Sequence, residues 1–158
     1  MHFANLAMSL ANPPAPSYSM SSTALQIELP AGLIGLPQLR HFEVLHVGDS
    51  WPFVSLRSLD DDDFHFLAVE PHNVIPGYEL ELGDADADTL GLSDPDDALV
   101  YNIVTVHVSP SQYVTANLAG PVVVNRHTAV GKQVILANGD KYSTNHPLTG
   151  EVEPSVVA

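Results

Sequence analysis

His65, Glu70 and His72 stand close together in the chain, and two imidazoles with a carboxylate are a donor set that zinc enzymes use. Such a site would hold a metal-bound water as nucleophile, in a small β-barrel metal-dependent enzyme. The spacing is poor for it. Two ligands on one strand share a face only at i and i+2, and the chain has no His-x-His. His41 and His46 likewise fall on opposite faces of their segment. "DADAD", from Asp84 through Asp86 to Asp88, imitates the opening of a calcium loop. That loop needs glycine at its sixth position and glutamate at its twelfth, where this chain has Thr89 and Pro95. Asp60, Asp61, Asp62 and Asp63 are consecutive, so their carboxylates cannot all converge on one ion. There is no Gly-x-Ser-x-Gly elbow, no glycine-rich phosphate loop ending in lysine, and no cysteine. The residues therefore predict neither a catalytic site nor a cofactor.

What remains is recognition by charge. Five Lys and Arg face nineteen Asp and Glu in 158 residues, a formal net charge of −14. Nucleic-acid binding draws its affinity from cations that neutralise phosphates, so direct nucleic-acid binding is excluded, and anionic membrane surfaces are disfavoured for the same reason. A basic protein partner, or a halotolerant lifestyle, fits this balance. Self-repulsion of this size also predicts a monomer.

The elements that would position these residues are strands. Short apolar runs split by turn residues begin at Ala24. "ALQIEL", "RHFEVLHV" and "FVSLRSL" alternate. "FHFLAVEP" is apolar on both faces, which predicts a central strand. "ALVYNIVTVHV" (98–108) is the longest run, with Val100, Val104, Val106 and Val108 on one face beside Asn102. "GDSWP", "DDDD" and "SPSQ" read as turns, and Asn138-Gly139-Asp140 as a hairpin turn. Only Asp84 through Leu90 suggests a helix, capped by Asp84 or Asp86 and stopped by Gly91. The sum is an all-β fold of about eight to ten strands. It is a compact, mostly antiparallel small β-barrel or sandwich with at most one or two short helices. Residues 1–22 are expected to be a flexible tail without the features of a signal peptide, residues 23–148 the domain, and residues 149–158 a frayed end. No apolar run reaches the ~18 residues of a membrane span.

"VTANLAGPVVVN" (114–125) is unusual for strand, with two asparagines and a Gly-Pro break. Alternation puts Val114, Ala116 and Leu118 on a core face, and Thr115 and Asn117 toward solvent, a partner or a loop backbone. Asn117 is expected to cap a loop by hydrogen bonding.

"GLIGLPQLRHF", Pro52-Phe53 followed by "LRSLDD", "FLAVEP", Tyr78, "NIVTV", "TANLAGPVVVN" and "GKQVIL" together resemble the flagellar assembly factor FliW family, from about Ala24 to Leu148. Arg57 departs from the family pattern, which usually has glutamine there. The resemblance implies a cytoplasmic, non-enzymatic protein of barrel character that switches partners. It would bind newly made flagellin, and it would bind the translational regulator CsrA and stop it from repressing flagellin mRNA. Two sets of partner-binding residues follow as expectations. The acidic set is Asp60–Asp63 with Asp84, Asp86 and Asp88, which would steer CsrA. The second set is Asn117, Leu118, Pro121 and Asn125 with Ile34, a candidate surface for the apolar ends of flagellin.

Overall fold

The computed structural model describes residues 24–46, 53–72, 74–108 and 112–148. The strands are β1 (Leu25–Glu28), β2 (His41–His46), β3 (Phe53–Ser58), β4 (His65–Val69), β5 (Ala98–His107), β6 (Tyr113–Ala116), β7 (Val122–Asn125), β8 (Val130–Gln133) and β9 (His146–Pro147). One α-helix, α1 (Asp84–Leu90), lies between β4 and β5, and single 3-10 turns span Pro95–Asp97 and Gly139–Lys141. The two expected tails and the turn expected over 48–52 lie outside the described residues, as do residues 109–111 of the turn after β5.

Strand order is β4-β3-β2-β1-β8-β7-β5-β6-β9, and β4 also pairs with β5. The run from β4 to β5 thus closes on itself as a barrel, and β6 with β9 extends from β5 outside the ring. Neighbours are antiparallel except at β1–β8, whose parallel contact is the single pair Glu28↔Val130. Closure removes most sheet edges.

The barrel interior is filled by alternate residues of the ring: Phe42, Val44, Val54, Leu56, Ala68, Tyr101, Val122 and Val124. A second core lies on the outside of the same wall. There Val69, Val100, Val104 and Val123 are covered by Tyr78, Leu80, Leu82, Leu90 and Leu92 from the segment around α1, and by Leu136 and Leu148. Each face of β4, β5 and β7 therefore serves a different core, which is why "FLAV" and "VVV" read as apolar throughout. Burial of this kind stabilises by roughly 25 cal/mol per Å² of apolar surface.

Two sequence expectations change in the structure, the helix cap and the turn over 138–140. Within the acidic stretch 78–97, the tyrosine and both leucines of "YELELG" are buried while Glu79 is exposed. Neither Asp84 nor Asp86 caps α1, because Gly83 takes the N-cap position without a side-chain bond. Both aspartates lie in the first turn, where negative charge meets unpaired N–H groups. Gly91 does end the helix, at φ 67°, its N–H reaching the carbonyls of Ala87 and Asp88. Asn138-Gly139-Asp140 forms a 3-10 turn and no hairpin, since the Asn138 amide is committed to Glu79 O and Glu81 N. Val106 and Val108 share a face with Val100 but run past the second core into solvent.

Candidate functional site

Asn117 and Pro121 bracket an interruption in one strand line. Val104 pairs with Thr115's neighbour Ala116 on β6, and Tyr101 pairs with Val122 on β7. Val104 also pairs with Leu67 of β4, so β6 lies on the edge of β5 opposite β4. β6 and β7 occupy that edge one after the other. Residues 117–121 stand opposite only Asn102 and Ile103, so the surplus chain bulges out. Gly120 and Pro121 permit the excursion and its return.

The bulge is tied at nearly every polar group. Asn117 Oδ1 accepts from Gly120 N at 2.9 Å, which is the loop cap expected of it. Asn102 Nδ2 donates to Asn117 O at 2.9 Å and to Tyr78 Oη at 3.1 Å, and Tyr78 Oη donates to Leu118 O at 2.6 Å. Burial pushes the Tyr78 phenol far above its ordinary value. Leu136 N donates to Ala119 O, Val134 N to Pro121 O and Leu118 N to Ser143 O. Gln133 joins the bulge to the loop that carries Ile34: its amide donates to Gly120 O at 3.0 Å and accepts from Ile34 N at 2.8 Å.

The second residue set therefore divides. Ile34 is 58% exposed and reaches solvent beside the bulge, and Asn117 is half-buried. Leu118, Pro121 and Asn125 are buried. Asn125 fastens three elements: its Nδ2 donates to Leu90 O at the end of α1, and its Oδ1 accepts from His127 N and Thr128 N. Thr115, expected to face outward, is buried beneath His107, which contacts its Oγ1 at 2.9 Å. Ile135, 65% exposed, was missed by strand reading. Its signal was an isoleucine in step with Gln133 on the outward face.

The acidic set also divides. Asp61, Asp62 and Asp63 are exposed on the turn between β3 and β4. Asp60 is a structural group of that turn. Its Oδ2 accepts from the backbone N–H of Arg40 and of His41, each at 2.7 Å, and its Oδ1 meets His41 Nδ1 at 3.0 Å. The Arg40 backbone N–H first, then the His41 side chain and backbone, hold its carboxyl down at about 2. Asp84 and Asp88 are exposed on α1, and Asp86 of the same helix forms an ion pair with Lys132 of β8. The two acidic clusters occupy separate places on the barrel.

The structure does not assemble His65, Glu70 and His72. Ser55 Oγ takes His65 Nε2 in a short hydrogen bond, and His46 Nε2 faces Glu70 Oε1 at 3.3 Å. His72 is driven toward its neutral form by burial. Among the described residues no three His, Asp or Glu side chains converge to hold a metal ion. Nor, among them, is any helix long and apolar enough to cross a membrane.

Comparison with known proteins gives a consistent answer. The family model described as FliW protein matches residues 17–148. The flagellar assembly factor FliW of Anoxybacillus flavithermus is 42% identical over 120 residues, covering 76% of this chain and 81% of that protein. That of Treponema pallidum is 36% identical over 126 residues, covering 80% of this chain and 82% of its own. A crystal structure of the flagellar assembly factor FliW superposes with a TM-score of 0.72 at 32% identity, covering 82% of this chain and 89% of that one.

Proposed function

This chain belongs to the FliW family, and on that premise we propose that it is a cytoplasmic flagellar assembly factor that exchanges protein partners and catalyses no reaction. One partner is newly made flagellin. The other is CsrA, which the protein antagonises so that flagellin mRNA is translated once flagellin has been exported. The observation that carries the reading is the pair of exposed carboxylate groups, Asp61–Asp63 and Asp84 with Asp88, on a rigid barrel that has few cations of its own. An RNA-binding regulator must be cationic to hold phosphate, and a rim of this sign attracts it without competing for sequence-specific contacts. The protein is a monomer in this reading, kept so by its net charge. Flagellin capture falls to the outward residues about the bulge, Asn117 and Ile34.

The test is a pull-down with CsrA and flagellin separately and then together. Each is captured alone, and flagellin in excess releases CsrA. Simultaneous capture of both at saturation would contradict a switch.

A further inference from the structure

Beside the end of β5 the barrel wall is open. β4 pairs with β5 through Leu67↔Val104, Ala68↔Ile103 and Val69↔Asn102. β5 nevertheless continues to His107, with β6 beside it on the other edge as far as Tyr113. Asn117 N donates to Ile103 O, so residues 103, 105 and 107 turn their main-chain groups toward β6. By alternation residues 104, 106 and 108 turn theirs toward the side of β4. Past Val104 no β4 residue pairs with them. The side chains there are apolar and in water: Val106 is 48% and Val108 69% exposed. Native edges are commonly blunted with lysine, proline or a bulge, and this edge has none of these over Thr105–Val108. β4 runs antiparallel to β5, so the turn before His65, with exposed Asp61, Asp62 and Asp63, stands at the same end of the barrel.

We propose that the open edge of β5 over Thr105–Val108 is a strand-addition site for an extended segment of another protein that alternates apolar residues with lysine or arginine. Main-chain pairing to Val106 supplies the affinity and the valine side chains supply an apolar contact. The Asp61–Asp63 turn selects the cationic residues of the incoming strand. This charge also argues against a second copy as occupant, since two chains of net charge −14 repel one another. The site is distinct from the bulge and stands whether or not CsrA and flagellin are the partners.

The test uses the full chain and two fluorescein-labelled, end-blocked peptides of about ten residues with the same composition. One alternates valine with lysine; the other has them in two blocks. Fluorescence anisotropy is expected to give the alternating peptide at least about tenfold tighter binding, because only it can pair in register while charge is equal. Hydrogen exchange at the Val106 and Val108 amides slows on binding. Val106→Pro removes the outward N–H and abolishes the preference, while Val106→Thr keeps it. Should Val106→Pro lower the melting temperature, the surface pair Asp62→Lys and Asp63→Lys replaces it and is expected to weaken the alternating peptide about tenfold. Equal binding of both peptides, or binding indifferent to both sets of variants, overturns the proposal. So does a requirement for deletion of residues 1–23 before any peptide binds, which would make the chain's own segment the occupant. A sedimenting dimer that Val106→Pro dissociates would give the edge to a second copy and overturn it equally.

Discussion

At the scale of single residues, two polar side chains do structural work that their sequence positions disguise. Asp60 is one of four consecutive aspartates, yet it alone binds two backbone N–H groups across the barrel end. Its folded carboxyl sits at about 2, below the ordinary value near 4. A depressed carboxylate contributes stability that is present above the unfolded pKa and lost as pH falls through the folded one. Asp60→Asn is therefore expected to lower the urea midpoint at pH 7. The gap from the parent should narrow between about pH 4 and about pH 2. A gap that stays constant over that window would show that charge on Asp60 is irrelevant. Asn125 is the second case. Asn125→Ala strands the carbonyl of Leu90 and the amides of His127 and Thr128, and is expected to cost about 2–3 kcal/mol by chemical denaturation. Asn117→Ala removes only the local cap. It is expected to cost about 1 kcal/mol and to weaken flagellin capture by more than that loss explains, read by binding on the folded variant.

At the scale of elements, tight backbone approach decides what the sequence can tolerate. β7 and β8 meet where Gly131 lies opposite Val124, and a Cβ on Gly131 would come within 2.7 Å of both Val123 O and Val124 Cγ2. Backbone cannot yield there, so Gly131→Ala is expected to destabilise by roughly 2–3 kcal/mol as overpacking. Gly35, with nothing near its Cβ position, faces only its φ of 85°. A thermal melt that places the two alanine variants together would contradict the packing account. The same pair of strands shows how far the sequence could be read. "FVSLRSL" and "RHFEVLHV" alternate because one face of those strands, carrying Val54, Leu56, Phe42 and Val44, meets the barrel interior, and alternation records a single boundary. "VVVN" carries no alternation, because β7 separates two cores. Only the fold shows that "YELELG" supplies the second one. Acidic residues between its leucines hide a buried ridge from any local pattern. For the candidate surface, types were legible and partners were not. "TANLAGP" announced a break with a capping asparagine, but Gln133 bridging Gly120 to Ile34 is a contact between segments far apart in the chain. No local pattern encodes it.

At the scale of the whole molecule, the formal charge of −14 acts through its distribution. Lys132 is taken by Asp86, and Arg57 by Glu43 at 2.7 Å, which raises the guanidinium further above its ordinary value. Arg57 also acts on Asp62, but the carboxylates of the turn over 61–63 outnumber it, so that turn and the exposed face of α1 keep a net negative charge. Such a field accelerates encounter with a cationic partner far more than it slows departure. Surface attraction of this kind is screened over about 10 Å at 0.1 M salt. Association with CsrA is thus expected to slow on the order of tenfold between about 0.05 M and about 0.5 M salt, with the dissociation rate nearly constant. Neutralising Asp61, Asp62 and Asp63 to asparagine should reproduce most of that loss at low salt if the turn faces the partner. Neutralising Asp84 and Asp88 should do so if α1 does. The two sets sit on separate elements, the turn between β3 and β4 and the helix α1, so stopped-flow rates for each variant locate the approach without a structure of the complex. An association rate indifferent to salt in the parent and in both variants would mean that the carboxylates serve solubility alone and that the proposed contact with CsrA rests on shape.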